Sequence, residues 1–355
     1  MTRVQAVVFD RFGGVPELRD VPDPAADPDG VVVRVAATGL CRSDWHGWQG
    51  HDPDIRLPHV PGHEFAGVVA EVGSAVTGWR IGDRVTAPFV CACGSCPACL
   101  AGDQQVCERQ TQPGFTHWGS YAEFVGVRNA DVNLVRLPDE VSFAGAAALG
   151  CRFATAFRAV VAQGRLAAGE WVAVYGCGGV GLSAVMIAAA CGARVVAVDV
   201  SPEALALARR FGAAVCLDAT TLTGDGEVAA TVREHTGGGA HLSIDALGSE
   251  PTCVASVESL RRRGRHIQVG LLPAAAGRTA LPMDRVIAYE LELRGSHGMA
   301  AHAYPELLSL VTAGVLRPAD LVTETIDLAG ASAALTTLDR PPVGGIRLVR
   351  PHGRD

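Results

Sequence analysis

The apolar residues of this 355-residue chain change rhythm near its middle. Before about residue 150 they come in short β-rich blocks separated by Gly and Pro. Val31–Thr38 follows a Pro/Asp-rich stretch at 22–30, and Phe65–Val72, Gly82–Ala87 and Ser120–Val127 come after it. Such blocks read as strands between turns, so residues 1–150 are expected to form a barrel-like segment of strands and loops. From Trp171 onward, strand patterns alternate with helical ones. Trp171–Tyr175, Arg194–Val198, Val215–Leu217, Leu242–Gly248, His266–Gly270 and Leu291–Gly295 are the strand candidates. A helix is expected over Val180–Cys191. Another is expected from Ser201 to about Phe211, with Ser201 as cap, Pro202 in the first helical position and Glu203 in the first turn. This alternation predicts an α/β fold with a doubly wound parallel sheet. The tail carries a helical pattern at Tyr304–Thr312 and a strand-like Ile346–Val349.

The first turn of the alternating half carries chemistry. Gly176-Cys177-Gly178-Gly179-Val180-Gly181 lies between a strand and a helix, and the next strand ends in Asp199. Glycines there let the backbone approach a pyrophosphate at the N-terminus of the helix. An acid about 20 residues on is where a dinucleotide's ribose hydroxyls are held. Glycines, strands and helix agree, which an ordinary glycine turn would not require.

Length points to two domains, and 48% apolar residues supply a large core. Charged residues make up 19%, with a net charge of −7, and no basic stripe suggests nucleic acid or an anionic membrane. No apolar run approaches the ~18 residues of a spanning helix. The N-terminal residues lack a signal peptide's apolar core and cleavage site. A soluble cytoplasmic protein is expected.

Eleven cysteines are many for that compartment, where spaced cysteines bind metal or act in catalysis more often than they form disulfides. Cys93, Cys96, Cys99 and Cys107 offer four soft ligands at the spacing of a closed tetrahedral zinc site. A redox pair or an iron–sulfur cluster fits less well. Cys91 lies just outside this spacing, and Cys177, Cys191, Cys216 and Cys253 sit in apolar or small-residue segments expected to pack. Three further clusters are Gly39–His46, Pro61–Glu64 and Gly150–Thr155. Spacing alone does not bring Cys41, His63 and Cys151 together. Singly, His63 suits a hydrogen-bonded turn, and each cysteine suits a buried thiol.

With these motifs in their order, the chain resembles the zinc-dependent alcohol dehydrogenases of the medium-chain dehydrogenase/reductase superfamily over essentially its whole length. The resemblance implies a GroES-like β-rich catalytic domain with a structural zinc lobe (1–152 and 298–355) and a Rossmann NAD-binding domain (153–297). It implies two zinc ions. Cys41, His63 and Cys151 would hold the catalytic one, and Cys93, Cys96, Cys99 and Cys107 the structural one. Asp44 matches the acid that orients the zinc-bound histidine. Glu64 matches a carboxylate near the zinc, against the alternative of an ion pair. Ser43 matches the hydroxyl on the substrate oxygen, and His46 the outer end of the proton relay. Arg42 and Arg347 match residues near the cofactor phosphates. Thr155, Val180 and Val269 match positions along the nicotinamide, with Gly176, Gly178, Gly179 and Gly181 at the pyrophosphate. Asp199, with no Arg directly after it, favours NAD over NADP. A lysine that many relatives place a few residues later is missing from Val200–Ala204, so NAD affinity is expected to be modest.

The resemblance implies hydride transfer between NAD and a small primary or secondary alcohol, giving an aldehyde or ketone. A polyol or sugar-alcohol dehydrogenase is the nearest alternative. Those relatives often have Glu where Cys151 stands, which favours a simple alcohol. A zinc-free quinone-type reductase is disfavoured by the ligand set. A non-catalytic NAD-binding protein is disfavoured by the complete zinc and relay residues. Trp45, Trp48, Phe89 and Trp118 either wall an apolar pocket or simply pack. By the same resemblance the chain is a tetramer or dimer that pairs through the edge of the sixth strand.

Overall fold

The computed structural model describes residues 3–224, 226–272, 278–338 and 344–353. Its contacts divide into two compact units. One comprises Met1–Ala154, Gly298–Pro342 and Ile346–Asp355; the other comprises Thr155–His297 with Val343–Gly345.

The first unit opens with an antiparallel hairpin, β1 (Arg3–Val8) and β2 (Glu17–Pro22), two strands not anticipated from the sequence. The long strand β3 (Val31–Leu40) is the spine of the unit and is buried along most of its length. Antiparallel to it run β4 (Phe65–Val72) and β6 (Phe124–Val127), and β4 is flanked by β5 (Arg84–Thr86), then β7 (Val135–Arg136). The apolar faces of β3, β4, β5 and β6 enclose a core of Val33, Val35, Phe65, Val69, Val85 and Val125.

Residues 1–150 are not strands and loops alone. Arg42–Trp48, Pro97–Leu100, Ala130–Asn133 and Phe143–Ala147 are helical. Local caps account for two of these. Asp44 reaches back to the N-terminus of the first helix, and Ser142 Oγ accepts from Gly145 N–H at 3.1 Å at the start of the last. The expected strand at 120–127 shortens to β6, because residues 120–123 turn to meet other segments.

In the second unit β8 (Trp171–Tyr175), β9 (Arg194–Asp199), β10 (Ala213–Asp218), β11 (Ala240–Asp245), β12 (Leu260–Gln268) and β13 (Glu292–Gly295) form one all-parallel sheet. Its order is β10-β9-β8-β11-β12-β13, which in order of appearance is 3-2-1-4-5-6, the arrangement of dinucleotide-binding sheets. β12 begins six residues before the expected start, because exposed Arg261–Arg263 hide its pattern. The helix Gly179–Ala190 is buried on nearly every side, as one that is apolar all round must be. The helix Pro202–Arg210 is capped by Ser201 as expected. The chain then returns to the first unit. There β14 (Val322–Ile326) and β15 (Ile346–Val349) complete the order β14-β15-β3-β4-β5-β7, with Arg347 opposite Leu40. Among the described residues no helix is long and apolar enough to cross a membrane.

The turn after β8 divides its labour among three glycines. Gly176 takes φ +87°, which favours glycine. A Cβ at Gly181 would lie 1.8 Å from the carbonyl oxygen of Gly176, so the helix packs on the strand only with hydrogen there. A Cβ at Gly178 would meet nothing within 4 Å among the described residues, which leaves its backbone open to a ligand. Gly181→Ala is therefore expected to destabilise the protein by about 1–3 kcal/mol or more through overpacking. Gly178→Ala is expected to cost under about 1 kcal/mol. Urea unfolding of the two variants checks the contrast.

Candidate active site

The antiparallel register of β3 and β4 decides which polar residues meet. Thr38 pairs with Phe65, and Gly39 N–H donates to Glu64 O at 2.7 Å. Cys41, just past the end of β3, and His63, just before the start of β4, therefore lie side by side although 22 positions separate them.

Between them sits the Asp44 carboxylate, 1% exposed. Its Oδ1 accepts from Gly62 N–H at 3.1 Å and His63 Nδ1–H at 2.8 Å. Its Oδ2 accepts from Cys41 N–H at 3.0 Å and the Tyr121 hydroxyl at 2.8 Å. Asp44 is the third residue of the helix Arg42–Trp48, so the bond to Cys41 also closes a capping box. Burial, then the neighbouring carboxylate, keeps the Tyr121 hydroxyl well above its ordinary range and so a neutral donor.

With Nδ1 committed to Asp44, His63 has one nitrogen left. That Nε2 is buried and has no hydrogen-bond partner among the described residues. Ligand atoms of Cys41, His63, Glu64 and Cys151 all lie within 4.8 Å of one another. A hydrogen bond from Cys151 holds the Cys41 thiol well below its usual range; burial opposes this and His63 assists it. The interaction with Cys41, then burial, pushes Cys151 well up. Burial disfavours the His63 cation, but Asp44 and then Cys41 outweigh it and raise its pKa. Two sulfurs and a pre-oriented, unpartnered imidazole nitrogen are the donor set of a zinc site with an open position, and they fit that ion.

Cys151 stands in a π-helical turn, Leu149–Phe153, a local widening that recurs at functional sites. Arg152 fixes it. Its backbone N–H and Nε donate to Glu64 Oε1 at 2.9 and 3.0 Å, and its Nη2 pairs with Oε2. Burial raises the Glu64 carboxyl while Arg152 pulls it down. Burial opposes the Arg152 charge, and Glu64 more than restores it. Glu64 thus lies beside the three N/S donors and in a buried ion pair at once.

Cys93, Cys96, Cys99 and Cys107 also lie within 4.8 Å of one another. Their sulfurs are 4.0 Å (Cys93–Cys99), 3.4 Å (Cys96–Cys99) and 3.8 Å (Cys96–Cys107) apart. Four thiolates on one zinc at about 2.3 Å would stand roughly 3.8 Å apart, so the lobe fits the ion. N–H groups of Ser95 and Arg109 point at the sulfurs, and bonds from Ser95 lead the causes that lower Cys93 to about 5.

The helix Arg42–Trp48 also carries Ser43, whose Oγ lies 3.7 Å from Cys41 Sγ. His46 is on the same helix with its Nδ1 3.0 Å from His51 Nδ1. Arg42 lies over the Trp45 ring at 5.5 Å, and Arg347 on β15 pairs with Glu324. In the second unit the Asp199 carboxylate accepts from Cys177 N–H at 2.5 Å, Val200 N–H at 2.8 Å and Ser201 N–H at 2.9 Å, which fixes it beside the glycine turn. Thr155 Oγ1 is buried without a partner among the described residues, and Val269 follows β12 with its N–H on Asp245 O.

Of the four aromatic residues singled out from the sequence, Trp48 is core. It packs with Phe9, Ile55, Phe115 and Leu335, and its Nε1 donates to Gly14 O at 2.6 Å. Trp118 is exposed and donates to Pro58 O at 3.0 Å. Phe89 stands 6.1 Å from the His63 ring, and Phe115, which no motif singled out, is closer at 5.3 Å. Tyr121 and Arg152 are the other site residues that were missed. Arg152 adjoins a candidate ligand, whereas Tyr121 carries no local signal.

The family model of the alcohol dehydrogenase GroES-like domain matches residues 27–139, and that of the zinc-binding dehydrogenases matches 179–313. An alcohol dehydrogenase of Geobacillus stearothermophilus is 38% identical over 272 residues, 76% of this chain and 78% of that one. D-arabitol-phosphate dehydrogenase of Enterococcus avium is 33% identical over 313 residues, 87% of this chain and 86% of that one. The solved structure of alcohol dehydrogenase TADH from Thermus sp. ATN1 matches with a TM-score of 0.87 at 31% identity, covering 98% of this chain and 99% of that one.

Asp44→Ala leaves Tyr121, His63 and two backbone N–H groups without their acceptor. It is expected to destabilise the protein by about 3–5 kcal/mol, as losing one partner of a buried charged pair does. Tyr121→Phe removes one donor of four and is expected to cost about 1 kcal/mol. Urea unfolding monitored by fluorescence compares them.

Proposed function

The chain belongs to the GroES-like, zinc-binding alcohol dehydrogenase family, and on that premise we propose that it transfers hydride between a small alcohol and NAD. Primary or secondary alcohols would be interconverted with aldehydes or ketones. The observation that carries this reading is His63: its Nδ1 is committed to Asp44, and its buried Nε2 is unpartnered beside Cys41 and Cys151. Cys41, His63 and Cys151 would hold a catalytic zinc, with Cys93, Cys96, Cys99 and Cys107 holding a structural one. Zinc would supply Lewis acidity, which lowers the pKa of a bound hydroxyl as it lowers that of bound water, to about 7. NAD, when bound, supplies the hydride acceptor.

The chain's own residues do the rest. Asp44 fixes the tautomer and direction of His63. Glu64, clamped by Arg152, keeps a carboxylate beside the ligands. The Ser43 hydroxyl accepts the alcohol proton as it gives up its own, and His46, at the outer end of the relay, passes a proton outward. Burial, then Arg42 and His51, hold the His46 imidazole below its ordinary pKa, so it is neutral and able to accept at neutral pH. Gly176, Gly178, Gly179 and Gly181 open the backbone to the pyrophosphate, with Arg42 and Arg347 for its charge. Thr155, Val180 and Val269 line the nicotinamide, and Asp199 takes the ribose hydroxyls and repels a 2′-phosphate. Residues 1–152 and 298–355 act as the catalytic domain, and 153–297 as the NAD-binding domain. We place the protein in the cytoplasm as a dimer or tetramer joined through β13, an edge of its sheet. The kinship with D-arabitol-phosphate dehydrogenase keeps a polyol substrate as the second reading.

The test follows NADH absorbance with alcohols, polyols, aldehydes and ketones, with NAD or NADP, before and after a zinc chelator. NAD-linked, chelator-sensitive turnover of simple alcohols is expected. Turnover of polyols alone selects the second reading, and turnover with NADP alone overturns the role of Asp199. The rate of alcohol oxidation should fall as the pH drops through a pKa below that of free imidazole, since His46 then loses its capacity to accept. Unchanged activity of His46→Ala across neutral pH would remove that residue from the relay.

A further inference from the structure

His51 has no part in the account so far, yet the backbone places it with care. The helix Arg42–Trp48 ends at Gln49, and Gly50 follows with φ +80°. Gly50 N–H donates to Gly47 O at 3.0 Å, and His51 N–H donates to His46 O at 3.0 Å. These two bonds form a Schellman close, which turns the second residue past the cap back onto the last turn of the helix. A Cβ on Gly50 would come within 2.9 Å of the Phe12 ring, a second reason for glycine there. An apolar contact often fills the place this motif creates. Here two imidazoles fill it.

The Nδ1 atoms of His46 and His51 are 3.0 Å apart, and one must donate while the other accepts. Trp45 sets both rings by edge contacts, at 5.0 Å to His46 and 5.8 Å to His51. His46 is half-buried and His51 is exposed, so the pair leads from the protein to water. Arg42, His51 and Cys41 are the charged or titratable groups acting on His46. Asp52 follows His51, with its Oδ1 engaged by Asp54 N–H at 2.9 Å.

We propose that His51 is the outer half of a two-histidine proton wire, taking on its Nδ1 the proton that His46 releases and passing one to water from its Nε2. The proposal rests on the reading of His46 as the proton exit. In each transfer His46 Nε2 gains a proton, and its Nδ1–H bond breaks as the His51 Nδ1–H bond forms. The His51 Nε2–H bond then breaks to water or a buffer base. No electrons move along the wire, because the hydride leaves with the cofactor. Both rings return to their starting tautomers by exchange with water. His51 is a positioning residue in this scheme, since it acts through His46.

Stopped-flow mixing of the zinc-loaded enzyme and NAD with a primary alcohol tests this. A pH indicator reads proton release while absorbance reads NADH, at neutral pH and low buffer, for the wild type, His51→Gln and His46→Gln. His51→Gln is expected to slow proton release by about tenfold, less than the hundredfold or more of a directly acting base. Raising the concentration of MOPS should restore its rate while leaving the wild type unchanged. A slowed His46→Gln beside an unaffected His51→Gln overturns the proposal and leaves the His46 relay standing. A slowed His51→Gln that buffer does not rescue marks a structural role and also overturns it. If neither variant slows, the relay reading falls, and the wire falls with it.

Discussion

The Asp44 carboxylate is a full charge taken out of water, and four donors from three separate segments compensate it. They are the Cys41 backbone at the end of β3, the Gly62 backbone and His63 ring before β4, and the Tyr121 hydroxyl before β6. An uncompensated buried charge costs several kcal/mol. These segments therefore cannot move apart independently, and the charge fixes their geometry. Its consequence for chemistry is the direction of one histidine. His63 must point Nδ1 at Asp44, so it presents Nε2 to the sulfurs.

A second buried charge organises the remaining sulfur. Glu64 and Arg152 neutralise one another, and the bond from Arg152 N–H ties the turn carrying Cys151 to the start of β4. Two glycines make room for this pair. A Cβ at Gly39 would lie 2.3 Å from Glu64 Oε2, and one at Gly150 would lie 3.0 Å from Glu64 Cα. Tyr304, buried near the C-terminal return of the chain, donates to Gly150 O at 3.2 Å and holds the same turn from the other side. The two carboxylates divide the work: Asp44 aims the imidazole, and Glu64 anchors Cys151.

What the sequence revealed depends on how local each signal is. The glycine turn, Asp199, the Ser201 cap and the four-cysteine lobe are contiguous, so their residue types report their geometry directly. The alternating strands and helices of the second unit were legible for the same reason, although arginines masked the start of β12. Cys41, His63 and Cys151 were legible only by resemblance, because β-register and a π-helical turn bring them together, and spacing records neither. The short helices of the first unit were hidden among β-rich blocks, and caps rather than hydrophobic period start two of them. Tyr121 and Phe115 reach the site through tertiary packing and left no mark. His51 did leave one: Gly50, two residues past the end of a short helix, is the signature of a turn that folds the next residue back. The chain contains no lysine anywhere. The gap after Asp199 is thus one case of a composition in which all 30 Lys and Arg positions are arginine.

The central claim is that one buried carboxylate orients a histidine so that it and two cysteines hold zinc. Anomalous diffraction at the zinc edge, from crystals of the protein as purified, measures this most directly. The account predicts two peaks in each chain, one bonded to Cys41 Sγ, His63 Nε2 and Cys151 Sγ, the other among Cys93, Cys96, Cys99 and Cys107. A peak in the lobe alone, from protein that turns over alcohol, would contradict it.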